Sequence, residues 1–120
     1  MYLIRNIHVY TPEDTGIKDA LLAGDKIIKI ADNLPEVREY GFTVIDGTGK
    51  YLVPGFIDAH VHILGGGGEG GPSTRTPEIR LTDITAAGVT TVCGLLGTDG
   101  TTRTISNLLA KAKGLRAEGI

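Results

Sequence analysis

Along residues 2–53, apolar and β-branched side chains come in short runs separated by turn-forming residues, which predicts strands rather than helices. Residues 3–10 form the first strand, closed by Thr11-Pro12-Glu13-Asp14-Thr15-Gly16. Residues 17–23 form the second. Gly24-Asp25 then turns the chain into a third strand over 26–30, where Ile28 and Ile30 share one face and Lys29 takes the other. A further short strand covers 43–45 and ends at Asp46-Gly47-Thr48-Gly49. Beyond residue 53 the pattern becomes strand, loop, helix, repeated. Residues 56–62 read as a strand. Thr76 reads as the N-cap of a helix with Pro77 in its first turn, Ile79, Leu81, Ile84 and Ala87 as its buried stripe, and Gly88 as its stop. Residues 89–94 are continuously apolar or β-branched, as a buried parallel strand should be. A second helix follows over 104–118, with Ile105, Leu108, Leu109, Ala112 and Leu115 on one face and Gly119 as its stop; Ile120 reads as the start of a third strand.

The fold class expected is therefore α/β. Residues 1–53 form a small N-terminal β-rich module, and residues 54–120 form the first two β/α units of an incomplete TIM-type (β/α)8 barrel. Two parallel strands leave open edges and an unfilled core, and a closed barrel of this type takes about 250 residues. The 120-residue chain is thus expected to be the N-terminal part of a longer protein.

Composition narrows the partners. With 41% hydrophobic and 22% charged residues the chain is ordinary globular material. A net charge of −2 gives no reason to expect nucleic acid or an anionic membrane surface. No apolar run is long enough to cross a bilayer and no signal-peptide pattern opens the chain, so a cytoplasmic setting is expected. The single cysteine, Cys93, has no internal partner and lies in an apolar run, where it reads as a small buried side chain.

The candidate chemistry lies in Pro54-Gly55-Phe56-Ile57-Asp58-Ala59-His60-Val61-His62. Residues i and i+2 of a strand share a face, so His60 and His62 project together, and paired imidazoles can ligate one Zn2+ through ring nitrogens at ~2.0–2.1 Å. Asp58 shares their parity and is expected to orient a ligand from behind. Six glycines, Gly65 to Gly68 with Gly70 and Gly71, follow, interrupted only by Glu69. Glycine lets backbone approach a ligand closely and a carboxylate suits an ammonium group; the plain alternative is a flexible connection with a solvated charge. A phosphate-loop reading fails, because the glycine run lacks the lysine that such loops need. Asp99 reads as a turn residue before the second helix and Thr98 as a ligand contact; Arg75 and Arg103 read as exposed or paired charges, though either could meet a carboxylate, and position alone does not decide it. Ser106 has no histidine within helical reach, which argues against a serine nucleophile.

The run PGFIDAHVH resembles the first-strand motif of the amidohydrolase superfamily, and the β-rich module ahead of it resembles that family's small N-terminal β domain. More narrowly, His62-Ile63-Leu64-Gly65-Gly66-Gly67-Gly68-Glu69 and Gly94-Leu95-Leu96-Gly97-Thr98-Asp99 resemble the isoaspartyl dipeptidases, metallopeptidases that cleave β-aspartyl dipeptides, and the resemblance covers essentially the whole chain. It implies a binuclear zinc centre with His60 and His62 as metal ligands. It also implies a catalytic, substrate-binding Glu69 that meets the α-amino group, with Gly67 and Thr98 contacting the dipeptide. The remaining ligands (a carboxylated lysine, two histidines and a proton-shuttling aspartate) belong to later strands and have no counterpart here; His8 lies in the β module and is no replacement. The chain alone is expected to be inactive, and the full-length protein a homo-oligomer acting on a small dipeptide. Two other readings stay open: a dihydropyrimidinase- or dihydroorotase-like cyclic amidase, which shares the histidines but leaves Glu69 unexplained, and a non-catalytic metal-binding module.

Overall fold

A computed structural model describes residues 1–35 and 41–120; residues 36–40, within the β module, lie outside the described residues. The chain divides into two compact units, Met1–Pro54 and Gly55–Ile120.

The first unit is a five-stranded sheet. Strands β1 (Tyr2–Tyr10), β2 (Asp14–Ala23) and β3 (Lys26–Ala31) form antiparallel hairpins, and β4 (Thr43–Asp46) and β5 (Tyr51–Leu52) both pair in parallel with β1. Alternation along β1 sends Leu3, Ile7 and Val9 inward, where they are buried with Ala20 and Leu34. The β1–β2 register slips between Ile4 and Ile7, and Asn6 there adopts φ 55°. That bulge takes the Asn6 amide out of the ladder. Asp19, buried opposite, accepts it at 3.1 Å, along with the Leu34 amide at 3.0 Å and the Arg5 guanidinium at 2.7 Å. Burial alone would raise the Asp19 pKa; these donors outweigh it and hold the carboxyl below its ordinary value. Pattern reading missed β5, a two-residue strand too short to show a period.

The second unit carries β6 (Phe56–Val61) and β7 (Val89–Gly94) as a parallel pair. Between them lie a long loop and the short helix α1 (Leu81–Ala86); α2 (Ile105–Glu118) follows β7. Ile63, Ile84 and Leu115 form the core, with Val61, Ile79, Leu81, Val89, Val92, Leu108 and Ile120 packed against it.

Four expectations change here. The first helix begins at Leu81 rather than Pro77, because the Thr76 hydroxyl is taken by Gly66: it accepts the Gly66 amide at 2.7 Å and so caps nothing. Asp83 serves instead, accepting the Arg80 amide at 3.3 Å. Cys93 is exposed, since Val92 turns to the core and strand alternation sends its neighbour to the other, uncovered face. The α2 stripe is narrower than its sequence suggests: Leu108 and Leu115 reach the core while Ile105 and Leu109 stay exposed. Ile120 is not in a strand; its amide bonds the Leu115 carbonyl at 3.0 Å in a helix-ending turn around Gly119, whose φ is 108°. Thr104 does cap α2, accepting the Asn107 amide at 3.2 Å.

Candidate functional site

Both loops that leave the C-terminal ends of β6 and β7 gather at one end of the parallel pair, the end at which β/α barrels place their chemistry. His60 is the penultimate residue of β6, and His62 lies just past its end. Their rings sit with centroids 5.3 Å apart and planes tilted by 46°, His60 exposed and His62 half-buried. Asp58 takes a different part from the one expected: its Oδ1 accepts the His60 backbone amide at 3.1 Å, fixing the end of the strand rather than a ring nitrogen.

Two glycine backbones lie against the Nδ1 edge of His62. A Cβ added at Gly66 would come within 3.1 Å of Nδ1, and one at Gly97 within 3.0 Å. The first glycine belongs to the β6–α1 loop and the second to the β7–α2 loop, so the ring is held between them. Glycine is needed at Gly67 too, where φ is 71° and a Cβ would lie 2.3 Å from the Thr74 carbonyl oxygen.

The structure brings Gly67, Glu69 and Thr98 together. The Thr98 hydroxyl lies 3.0 Å from the Gly67 carbonyl oxygen and 3.1 Å from Glu69 Oε1. It has one proton for two acceptors. Glu69 is exposed, and its carboxylate therefore keeps capacity for a cationic partner. Asp99, next to Thr98, is a turn residue as its sequence context suggests. It accepts the Thr102 hydroxyl, the Thr102 amide at 2.8 Å and the Thr101 amide at 3.1 Å, and pairs with Arg75 Nε at 3.0 Å. The Thr102 bonds lead in lowering its pKa to about 2. An open cavity of about 380 Å³ lies beside this loop, lined in part by Gly68, Arg75 and Thr98; neither histidine lines it.

Two imidazoles so disposed suit two positions in the shell of one metal ion. A catalytic zinc site takes three protein ligands, and among the described residues no group of three or more His, Cys, Asp or Glu could hold an ion. The residues present fit part of a metal site. His8 is engaged elsewhere, stacked on Tyr10 and 2.6 Å from Asp14.

Sequence reasoning left Arg103 undecided. It is 5% exposed, and its guanidinium donates to the carbonyl oxygens of Gly66 at 3.0 Å and Thr76 at 2.7 Å. The available signal was indirect: a glycine run outside any ladder presents carbonyls that need donors.

No family model matches the chain. Among solved structures, the β-aspartyl dipeptidase of Fervidobacterium islandicum AW-1, determined with β-Asp-Leu, is 47% identical, with a TM-score of 0.82 over 99% of this chain and 31% of that one. Dihydropyrimidinase from Brevibacillus agri NCHU1002 is 31% identical, with a TM-score of 0.68 over 95% of this chain and 24% of that one. Among curated proteins, a dihydroorotase of Listeria monocytogenes is 35% identical over 94% of this chain and 26% of its own length.

Together they support an amidohydrolase-superfamily assignment.

The architecture is that of the N-terminal region of the family's TIM-barrel enzymes, as expected from sequence. The chain spans about a quarter to a third of the length of these amidohydrolase relatives. Among the described residues no helix is long and apolar enough to cross a membrane.

Proposed function

We propose that the chain supplies the first-strand half of an isoaspartyl dipeptidase site, hydrolysing β-aspartyl dipeptides with a metal-activated water. The observation that carries this is the Glu69–Thr98–Gly67 cluster beside the histidine pair. The greater identity to a β-aspartyl dipeptidase than to the cyclic amidases supports it. His60 and His62 would hold one metal ion, for which Zn2+ suits the imidazole donors. Such an ion supplies Lewis-acid polarisation of a carbonyl and a water of lowered pKa. Glu69 pairs with the α-ammonium of the dipeptide, a charge-assisted contact that a neutral cyclic amide does not offer. The Thr98 hydroxyl joins the two loops between that carboxylate and the Gly67 carbonyl, and the glycines let the loop backbone close on the ligand. Return of the proton to the leaving amine is assigned to no residue of this chain.

The test exchanges the matching N-terminal segment of the Fervidobacterium dipeptidase for these 120 residues, and does the same in the Brevibacillus dihydropyrimidinase. The dipeptidase chimera is expected to cleave β-Asp-Leu, to lose activity on chelation and to regain it with Zn2+. Glu69→Gln should raise its KM sharply. A cyclic amidase is the second reading, favoured by the dihydroorotase relatives. A folded dipeptidase chimera that ignores β-Asp-Leu, beside a dihydropyrimidinase chimera that stays active with Glu69→Gln, would replace the first reading with the second.

A further inference from the structure

Among the described residues of the second unit, Arg103 is the one buried charged side chain. No carboxylate among those residues pairs with it. A guanidinium taken out of water is costly unless its donors are used, and here both partners are backbone oxygens of the β6–α1 loop, 37 and 27 residues away in sequence. The Gly66 carbonyl is the more heavily tied of the two. It accepts the Thr76 amide at 3.0 Å, the Thr76 hydroxyl at 3.1 Å and Arg103 Nη1 at 3.0 Å. Three donors thus converge on an oxygen with two lone pairs, which fixes that peptide more firmly than a turn requires. Gly65 lies against the same guanidinium: a Cβ there would come within 2.9 Å of Nη2.

The peptide fixed in this way is the one packed on the Nδ1 edge of His62. One residue further along, the Gly67 carbonyl receives Thr98, and Thr98 also reaches Glu69. The β7–α2 loop therefore grips the glycine run at two points, Thr98 at its start and Arg103 at its end.

We propose that Arg103 is a positioning residue, whose guanidinium sets the Gly66 peptide against the His62 imidazole and so fixes the ring's orientation and the path of the loop to Glu69. The consequence for β-aspartyl substrates rests on the dipeptidase reading; the placement of His62 does not.

The test uses the 120-residue chain labelled at histidine and glycine, with Arg103→Gln, Arg103→Lys and, as an exposed control on α2, Lys113→Gln. Nuclear Overhauser contacts between the His62 ring protons and the α-protons of Gly66 and Gly97 report the ring; methyl signals of Ile63, Ile84 and Leu115 report the core. Arg103→Gln is expected to abolish the Gly66 contact or split the His62 signals into two sets while the core methyls hold their shifts. Arg103→Lys should restore part of the contact, and Lys113→Gln should change nothing. Intact His62 contacts in Arg103→Gln overturn the proposal. So does global unfolding of both Arg103 variants, which would make the residue a general packing element. In the dipeptidase chimera Arg103→Gln is further expected to lower kcat/KM on order of 10- to 100-fold. A parent chimera without dipeptidase activity removes the substrate reading and leaves the His62 measurement to decide this one.

Discussion

Gly67→Ala and Gly88→Ala form a matched pair that isolates the tightness of the glycine loop. The two positions have nearly the same backbone, φ 71° and φ 72°. A side chain in that left-handed region costs roughly 1 kcal/mol at either position. They differ in what the new Cβ meets. At Gly88 it finds the Phe56 ring at 3.4 Å, an ordinary contact, whereas at Gly67 it lies 2.3 Å from the Thr74 carbonyl oxygen. Non-bonded carbon contacts settle near ~3.5 Å, so the loop at Gly67 must open by about 1 Å. Opening stretches the 3.0 Å bond from Thr98 to the Gly67 carbonyl, and a lost hydrogen bond adds about 1 kcal/mol. Gly88→Ala should therefore cost about 1 kcal/mol and Gly67→Ala about 2 kcal/mol. The assay is urea unfolding of the two variants under one set of conditions. Function should separate them further, because a shift of about 1 Å at a positioning loop is enough to cost on the order of 100-fold in rate. In the dipeptidase chimera, kcat/KM for β-Asp-Leu should fall with Gly67→Ala and stay near the parent value with Gly88→Ala. Equal unfolding midpoints would refute the steric reasoning. An undiminished kcat/KM would refute the claim that the loop places substrate.

Three further outcomes follow from the same geometry. The Asp99 carboxyl is held down to about 2, so its stabilisation of the β7–α2 loop is fully present above the ordinary carboxylate value of 3.8 and is lost as pH falls through about 2. The Thr101 and Thr102 amide signals should accordingly stay fixed through pH 4 and move only near pH 2; movement centred on pH 4 would contradict this, and Asp99→Asn should abolish the transition. Leu115→Ala, at a side chain 2% exposed, should destabilise the second unit by about 2–5 kcal/mol in urea unfolding, while Leu109→Ala, on the exposed face of α2, should change little. Asp19→Ala leaves the Arg5 guanidinium and the Asn6 and Leu34 amides without their acceptor; a loss of about 3 kcal/mol in the first unit is expected, and a loss below about 1 kcal/mol would show that water replaces the carboxylate there.

Local chemistry made much of this legible. Short apolar and β-branched runs between turn residues mark the hairpin strands, continuous β-branched character marks β7, and Gly119 marks the end of α2, because each of these signals acts within a few residues. Thr76-Pro77 shows where such signals fail: the pair has the chemistry of a helix start, but Gly66, ten residues away, competes for the hydroxyl and wins. A distant donor or acceptor leaves no period to read. For the same reason Arg103 reads in the sequence like any loop arginine, and Asp58, whose parity with the histidines is plain, carries no sign of the backbone amide it accepts. At the candidate site, the His60–His62 juxtaposition follows from strand parity, whereas the Thr98 bonds to Gly67 and Glu69 and the glycine walls around His62 do not. They depend on two loops meeting, which only the packed chain reveals.

The shared Thr98 proton gives the two loops a rotor at their junction. A hydroxyl with acceptors at 3.0 and 3.1 Å on different groups changes partner by turning about one bond, with no heavy atom displaced. Should a cation arrive at Glu69, the proton can swing wholly to the Gly67 carbonyl. The carboxylate is then released for its new partner while the loops stay fastened, so occupancy of the acidic group and integrity of the loop pair are not in competition.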